Sequence, residues 1–400
     1  MNLNKSFKLT LNLRQEVACN LSVGGDLAYS AITQKCIKPR VSIFIPVYKG
    51  SNLLDELLSN IINSRYKEKE IFVIIDEPTP QSIKIAEKYE NEAVFIINQM
   101  RIGKVEALNH AIKKSSGDIL LFLDSDIKLE DGNFLEYIVE AMVDADIVDV
   151  KKDIIGNSFI SKMVSYEFLS CNIVSYLYSK IAGRCMCVNG VAFAIKREAF
   201  MKVGGFSKVI SEDFDLATKT LLGGKRFKYV EKVKVYTEAP SNWCSWFIQR
   251  KRWGIGAGLW FKHYWRNIIE YAVKNPHLAI PSLILLFPAV ISYLSAYALA
   301  CVLRFNLTQQ ATLIPIAQLT FSSLTPYVYE LLFNISLSLF IGLLALTLIF
   351  YILARKLNYK FNFIEFIIYL TFYQPISALV LFTGILAALF SNNYKLDWKV

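Results

Sequence analysis

Three long apolar stretches in the second half of the chain constrain its fold most strongly. They run from Leu278 to Leu303, from Leu331 to Ala354 and from Ile364 to Phe390, and the only charged residue within them is Glu365. Each stretch exceeds the roughly 20 apolar residues with which a helix crosses a bilayer. The sequence therefore predicts an integral membrane protein with three transmembrane helices in residues 276–400, and it excludes a wholly soluble globular protein.

The residues before these stretches have a different pattern. Between residue 41 and residue 240, short β-branched runs alternate with helical periodicity, which is typical of an α/β domain with a mostly parallel sheet. Three of the runs are predicted strands: Val41–Val47, Ile71–Ile75 and Ile119–Leu123. Residues 1–40 are interpreted as an N-terminal extension that contains one strand, because apolar and polar residues alternate from Phe7 to Arg14.

Residues 241–275 connect the two regions and mix basic with aromatic side chains. They contain six Lys and Arg residues, a single acid, Glu270, and five of the six tryptophans of the chain. This mixture beside a membrane span is typical of an amphipathic helix in the cytoplasmic headgroup layer. The net charge of +10 is therefore assigned to a membrane surface and a phosphate-bearing substrate, and nucleic acid is not an expected partner.

The loops between the apolar stretches predict an orientation. Arg355, Lys356 and Lys360 lie between the second and third stretches, whereas Arg304 is the only Lys or Arg between the first and second. The positive-inside rule places the basic loop and the α/β domain in the cytoplasm, and the C-terminus outside. Residues 311–329, which contain two prolines, are interpreted as an outer-face interfacial segment rather than a fourth span.

Acidic residues follow two of the predicted strands, at the sheet edge where open α/β proteins bind ligands. Asp76 ends the run Ile71–Ile75, and Asp124 and Asp126 follow the run Ile119–Leu123. Two carboxylates after one strand suit Mg²⁺ or Mn²⁺ that is bound jointly with a substrate diphosphate. A turn or a helix cap explains the Asp-x-Asp pattern equally well, and an Asx turn explains Asp76.

Glu212 and Asp213 begin a helical pattern directly after Ser211. In one interpretation, Ser211 caps the helix and the acids complement its dipole. In the other, Asp213 is a general base that accepts the proton of an acceptor hydroxyl. The segment by itself does not distinguish these interpretations.

Gln249, Arg252 and Trp253 lie in the basic aromatic region and also have two interpretations. A basic helix at a membrane surface would place the charged ends of such side chains in water. Alternatively, Arg252 binds diphosphate oxygens bidentately while Gln249 and Trp253 line an acceptor site. The second interpretation requires this order of residues, whereas the first does not.

The joint order of these residues resembles that of family 2 glycosyltransferases of the membrane-bound branch, which includes cellulose, hyaluronan and chitin synthases and ceramide glucosyltransferase. The residues in question are Asp76, Lys104, Asp124, Asp126, Glu212, Asp213, Gln249, Arg252 and Trp253. Supporting stretches are VSIFIPVY from Val41, GKVEALNHA from Gly103, GDILLFLDSD from Gly117 and NGVAFAIKREAFMKVGGF from Asn189. The resemblance covers about residues 41–260.

This resemblance implies a GT-A fold for residues 41–240 and a site for a nucleotide-diphosphate sugar. Pro46, Tyr48 and Asp76 would hold the base and ribose, Lys104 would belong to the same donor site, and Asp124 would contact the ribose or the sugar. The loop after Asp76 departs from the family pattern, because it reads Glu-Pro-Thr where many relatives have a second Asp and a small glycine-serine turn.

The resemblance also implies the catalytic groups. Asp126, with Asp124, would ligate Mg²⁺ or Mn²⁺, Asp213 beside Glu212 would be the base, and Arg252 would clamp the diphosphate. Gln249 and Trp253 would contribute to the diphosphate and acceptor site.

The expected function is therefore metal-dependent, inverting transfer of a sugar, with a UDP-sugar as the expected donor, to a growing glycan or polysaccharide at the cytoplasmic face of the cell membrane. Transfer of one sugar to a membrane lipid, such as a glycolipid or a polyprenyl phosphate, is an alternative. A non-catalytic membrane scaffold that binds a nucleotide sugar is another. Three spans form a narrow bundle, so polymer secretion would call for a homo-oligomer.

Overall fold

A computed structural model gives the fold of most of the chain. The described residues are 38–130, 132–186, 188–294, 297–298 and 321–390. The predicted strand at Phe7–Arg14, the end of the first apolar stretch and the C-terminal tail lie outside these residues.

A mixed eight-stranded sheet is the centre of the α/β domain. Its strands are β1 (Val41–Tyr48), β2 (Lys69–Asp76), β3 (Val94–Asn98), β4 (Ile119–Leu123), β5 (Ile127–Leu129), β6 (Ile147–Ile155), β7 (Ala192–Lys196) and β8 (Phe227–Glu238). They are ordered β3-β2-β1-β4-β7-β6-β8-β5. The first four in this order are parallel, β7 is antiparallel to both β4 and β6, and β5 is antiparallel to β8. The three predicted strands are thus three of the four parallel strands, and β3 is the fourth.

Helices cover both faces of the sheet because successive strand residues point to opposite sides. The helices of the domain are α1 (Leu54–Ile62), α2 (Pro80–Lys88), α3 (Lys104–Lys114), α4 (Phe134–Met142), α5 (Phe159–Ile181), α6 (Arg197–Lys202) and α7 (Glu212–Leu222). Ile43 and Ile45 pack in one core with α1, α2 and α4, and Phe44 packs in the other core with α3 and α5. In this second core, the Phe44 ring stacks between Phe72 and Phe122 at centroid distances of 5.5 and 5.3 Å.

The remaining described helices follow the domain. They are α8 (Trp243–Lys274), α9 (Pro276–Leu286), α10 (Pro288–Leu294), α11 (Phe321–Lys356), α12 (Phe363–Ile368) and α13 (Gln374–Phe390), with a π-helical turn at Tyr369–Tyr373. Within the described ranges, two segments are long and apolar enough to cross a membrane, Leu332–Lys356 and Phe363–Phe390. They coincide with the predicted second and third spans.

The predicted first span differs from a single straight helix. The chain bends by 101° between α9 and α10, so this pair counts as a third span only if the bent pair is taken together. Pro288 lacks the backbone N–H that would continue the helical hydrogen bonds, which accounts for the break at Phe287. The described part of helix α11 also includes Phe321–Tyr329, so the described part of the segment interpreted as interfacial is continuous with the second span.

The basic loop between α11 and α12 contacts the α/β domain. The Lys151 ammonium donates to the carbonyl of Leu357 at 3.0 Å, and the Tyr166 hydroxyl donates to the carbonyl of Asn362 at 3.1 Å. The loop and the domain therefore lie at the same end of the two apolar helices. The side of the membrane to which this end belongs stays a prediction.

Helix α8 packs closely along α13, a contact that the sequence interpretation did not include. A Cβ atom on Gly254 would lie 2.3 Å from the Leu381 carbonyl oxygen, and one on Gly258 would lie 2.8 Å from the Ala388 Cβ. The two helix backbones therefore touch, with small residues one turn apart on each, as in many membrane helix pairs.

Substitution of Gly254 by Ala is expected to loosen this helix pair, because the added methyl group overlaps the Leu381 carbonyl. Overpacking of this kind costs about 1–3 kcal/mol, so the thermal unfolding midpoint in detergent should fall. Gly342→Ala on α11 is the matched control, because a Cβ there meets no atom within 4 Å. An equal response of the two variants would contradict the close approach of α8 and α13.

Candidate active site

Asp76 lies at the carboxyl end of β2 with its carboxylate buried. One oxygen accepts a hydrogen bond from the Asn98 amide at 2.9 Å, and the other accepts from the backbone N–H groups of Ile102 and Gly103 at 3.1 and 3.0 Å. Gly103 has a φ of +100° and precedes α3. Asp76 therefore fixes the turn that leads into α3, a structural role beside the donor-binding role predicted from the sequence.

The same turn carries Arg101 over the ring of Tyr48, the last residue of β1. The guanidinium carbon lies 4.2 Å from the ring centroid, and the Tyr48 hydroxyl donates to Glu77 at 3.2 Å. Tyr48 remains 45% exposed, so its aromatic surface is accessible at the edge of the sheet. Arg101 and Glu77 are neighbours of the predicted donor site that the sequence did not identify as such.

Lys104 is the first residue of α3 and joins two of the acidic motifs. Its ammonium lies 2.9 Å from Asp124 Oδ1 and 3.1 Å from Glu212 Oε1. Burial alone would lower the pKa of Lys104, but the charges of Asp124 and Glu212 raise it above its usual value. Pro46, Lys104, Asp124, Gly190 and Glu212 line one cavity. The structure thus brings together residues that are more than 100 positions apart in the chain.

Asp126 lies beside Asp124 in the turn between β4 and β5. Burial, and after it the charge of Asp124, raises the pKa of Asp126 to about 6. Two neighbouring carboxylates with mutual repulsion are a suitable pair of oxygen ligands for a divalent cation. Among the described residues, no group of three or more His, Cys, Asp or Glu side chains could hold a metal ion. A cation on this pair would therefore need ligands beyond the described His, Cys, Asp and Glu side chains.

Asp213 is the second residue of α7. Its Oδ2 atom accepts a hydrogen bond from the Gly190 N–H at 2.9 Å, and its Oδ1 atom accepts from the N–H of Phe214 at 2.9 Å. Burial, and after it the charge of Glu212, raises the pKa of Asp213 to about 7, although Lys104 opposes this shift. A carboxylate with such a pKa can accept a proton near neutral pH. Ser211 precedes the helix with a φ of +69°, and its side chain makes no capping hydrogen bond.

The predicted diphosphate and acceptor residues lie on α8, where a buried ion pair accompanies them. Arg250 is fully buried, pairs with Glu167 of α5, and donates to Gln249 at 2.5 Å. Its guanidinium also stacks on Trp253 at 4.2 Å, whereas Arg252 lies on the exposed side of the helix. Arg250 was expected among the basic side chains at the membrane surface. This expectation is wrong, because the side chain is buried against Glu167 of α5 and Tyr373 of the π-helical turn.

The polar environment of Arg250 extends to the last predicted span. The Tyr373 hydroxyl accepts from Arg250 at 3.2 Å and from the Trp246 indole at 2.6 Å, and the Ser377 hydroxyl donates to Glu167 at 2.5 Å. A buried charge pair of this kind requires such hydrogen-bond partners. In the sequence, the only indication of this contact was that polar residues such as Tyr373 and Ser377 occur within an apolar stretch.

Comparison with known proteins defines the class. Residues 42–204 match the family model described as Glycosyl transferase family 2. The chain therefore contains a family 2 glycosyltransferase domain, as the order of the motifs predicted.

Particular relatives are polysaccharide synthases. A poly-β-1,6-N-acetyl-D-glucosamine synthase of Staphylococcus aureus is 26% identical over 231 residues, which are 54% of this chain and 54% of that protein. The corresponding synthase of Staphylococcus epidermidis is 25% identical over 281 residues, 66% of this chain and 64% of that protein. The chain thus spans about half the length of the first relative that it matches.

A solved structure supports the fold. The mannosyltransferase PcManGT from Pyrobaculum calidifontis, in complex with GDP-Man and Mn²⁺, has a TM-score of 0.55 and 19% identity. The likeness covers 96% of this chain and 95% of that chain. At this identity, the comparison shows the fold alone, a GT-A-like α/β domain with a mixed sheet.

Replacement of Lys104 by Met should destabilise the protein increasingly as the pH rises. Asp126 and Asp213 have raised pKa values, so the folded state binds protons more tightly than the unfolded state, and stability falls as these groups ionise. Without Lys104, this fall should be steeper between about pH 5 and about pH 8. The measurement is the thermal midpoint of wild type and variant at both pH values.

Lys88→Met is the control for this prediction, because Lys88 pairs with Asp55 at an exposed site and holds the pKa of that carboxyl below its usual value. The Lys88–Asp55 pair therefore contributes its full stabilisation at both pH values, and its loss should lower the thermal midpoint equally at each. A pH-independent loss in Lys104→Met would show that Lys104 does not neutralise the acidic cluster.

Proposed function

We propose that this chain is an inverting glycosyltransferase that moves a sugar from a nucleotide-diphosphate donor to a growing glycan at the cytoplasmic face of the cell membrane. The observation that carries the proposal is the cluster of Lys104, Asp124, Glu212 and Asp213 at the carboxyl edge of the parallel strands. This cluster contains the ammonium of Lys104 and a candidate base, Asp213. Together with the neighbouring Asp126, Asp124 provides two candidate metal ligands. The polysaccharide synthases among the relatives favour a glycan acceptor.

The base and ribose of the donor are assigned to the end of β1 and β2. Tyr48 offers an exposed ring that is held by Arg101, and Pro46 lines the adjoining cavity. Asp76 contributes by fixing the turn that carries Arg101. A nucleotide at this edge would direct its diphosphate toward Asp124 and Lys104.

Asp124 and Asp126 are the residues that would hold Mg²⁺ or Mn²⁺. When bound, the cation would neutralise negative charge on the leaving diphosphate. Arg252 is assigned to the same diphosphate, since its position on α8 follows the motif order of the family. Lys104 supplies a further positive charge at the cavity and limits the repulsion between Asp124 and Glu212.

Asp213 is assigned the role of base. Its carboxylate would take the proton from an acceptor hydroxyl as that oxygen attacks the anomeric carbon, while the bond from this carbon to the diphosphate breaks. A single displacement inverts the configuration at that carbon. Glu212 helps to set the affinity of Asp213 for a proton, because it lies next to it and pairs with Lys104.

The second half of α8 supports a site at a membrane surface. Phe261, Trp265, Ile269 and Val273 are exposed and follow one another at helical spacing, with Lys262 and Arg266 beside them. Such a stripe fits the boundary between lipid headgroups and hydrocarbon. Gln249 and Trp253, earlier on the same helix, are assigned to the acceptor.

This placement also supports a second function, transfer of one sugar to a membrane lipid, because a helix at the headgroup layer would bring Trp253 close to a lipid acceptor. Extraction of radiolabelled product with organic solvent separates the two functions. Glycan assembly leaves the label in polymer, and its secretion would require a homo-oligomer of these narrow helical bundles. Lipid transfer moves the label into the extract.

Asp213→Asn is expected to reduce sugar transfer by about 10²- to 10⁴-fold while donor binding remains nearly intact, because the amide cannot accept the proton. The measurements are radiolabel transfer with a divalent cation and titration of the protein with the nucleotide sugar. Asp144→Asn is the control, since Asp144 lies in an exposed ion pair with Lys228. Full activity of Asp213→Asn would remove Asp213 from the mechanism.

The rate of transfer should also depend on the ionisation of Asp213. The base acts when deprotonated, so kcat/KM should rise with pH and level off above its pKa of about 7. Lys104→Gln should move the inflection to higher pH, because Lys104 favours the ionised carboxylate. A profile that is flat across this range, with the protein folded, would contradict the assignment.

A further inference from the structure

Gly256 of α8 lies directly against Ser211, the residue that precedes Glu212 and Asp213. A Cβ atom on Gly256 would lie 2.0 Å from Ser211 Oγ, 3.3 Å from Ser211 Cβ and 3.2 Å from Ile210 Cγ2. Ser211 itself has a φ of +69°, a left-handed conformation that is strained for a residue with a side chain. The backbone of α8 at Gly256 therefore contacts a residue in an unusual conformation, two positions before the candidate base Asp213.

Two further contacts attach the same side of α8 to α7. The Trp260 indole donates to Thr218 Oγ1 at 2.8 Å, and the Tyr264 hydroxyl donates to Asp215 Oδ1 at 2.8 Å. The Trp260 ring also packs edge-on against Phe214 at a centroid distance of 5.7 Å. Gly256, Trp260 and Tyr264 are spaced by four residues and so form one stripe of the helix.

Asp213 has little freedom to adjust if its helix shifts. A Cβ on Gly190 would lie 2.8 Å from Asp213 Oδ2, so the carboxylate is confined on that side. Its hydrogen bond to the Gly190 N–H and the pair between Lys104 and Glu212 both depend on the start of α7. Displacement of Ser211 would disturb both interactions.

We propose that Gly256 is a positioning residue, whose lack of a side chain allows α8 to hold Ser211 in its left-handed conformation and thereby sets the position of the Asp213 carboxylate. The inference rests on the proposed function, in which Asp213 is the base. It assigns to α8 a role in catalysis that is separate from binding of the diphosphate or acceptor by Gln249, Arg252 and Trp253.

A double-mutant cycle with the full-length protein tests this role. Gly256→Ala should lower kcat by about 10²-fold, a typical cost of a displaced catalytic group, with little change in KM for the donor. In a Ser211→Gly background, where the clashing side chain is absent, the same substitution should cost less than about 3-fold, which is a strong interaction between the two sites. Helix propensity does not explain a loss, because Ala favours a helix more than Gly does.

Gly258→Ala is the matched control. Its added methyl group would also collide, but with Ala388 and Ile385 of α13 rather than with Ser211. Ser211→Gly should therefore leave the cost of Gly258→Ala unchanged. Equal costs of Gly256→Ala in the two backgrounds, or wild-type kcat in Gly256→Ala, would overturn the proposal.

Hydrogen exchange gives a second readout that does not depend on activity. The Asp215 N–H donates to the Ser211 carbonyl at 3.1 Å, so residues 210–216 should exchange faster in Gly256→Ala and return toward wild type in the double variant. Unchanged exchange in Gly256→Ala would contradict positioning. If the wild-type protein transfers no sugar, the proposed function fails, and exchange still decides whether Gly256 positions Ser211.

Discussion

The cation of Lys104 is the interaction on which the candidate site depends. Four carboxylates, those of Asp124, Asp126, Glu212 and Asp213, converge on the edge of the sheet. Burial, and after it repulsion from Asp124 and Glu212, raises the pKa values of Asp126 and Asp213. Lys104 contacts two of the four and opposes the shifts of the other two. One side chain at the start of α3 thus allows acidic groups that follow β4 and begin α7 to approach one another, as the proposed function requires.

Helix α8 connects this cluster to the apolar helices. One stripe, at Gly254 and Gly258, allows α13 to approach closely, and another, which begins at Gly256, contacts α7. Arg250 and Glu167 add a buried charge pair between α8 and α5. A single helix therefore contacts both the last apolar helix and the helix that carries Asp213.

The sequence predicts three of the four parallel strands and two of the three expected spans well, because β-branched runs such as Ile71–Ile75 and long apolar stretches are recognisable from local composition. Pro288 lies within the first stretch, but composition alone does not tell a kink from the 101° bend. Arg250 is buried against Glu167 and Tyr373, which are distant in the chain, so local charge indicated the wrong environment. The sequence does not indicate the proposed positioning role of Gly256, because that role depends on a contact with Ser211.

The most direct test of the central claim is a screen of radiolabelled nucleotide sugars on membranes that contain the protein, with and without a chelator of divalent cations. The account predicts that at least one donor is consumed in a metal-dependent manner and that the label enters a glycan or lipid product. Failure of every donor to react, while the folded protein binds nucleotide sugars, would contradict catalysis and favour a nucleotide-sugar-binding scaffold.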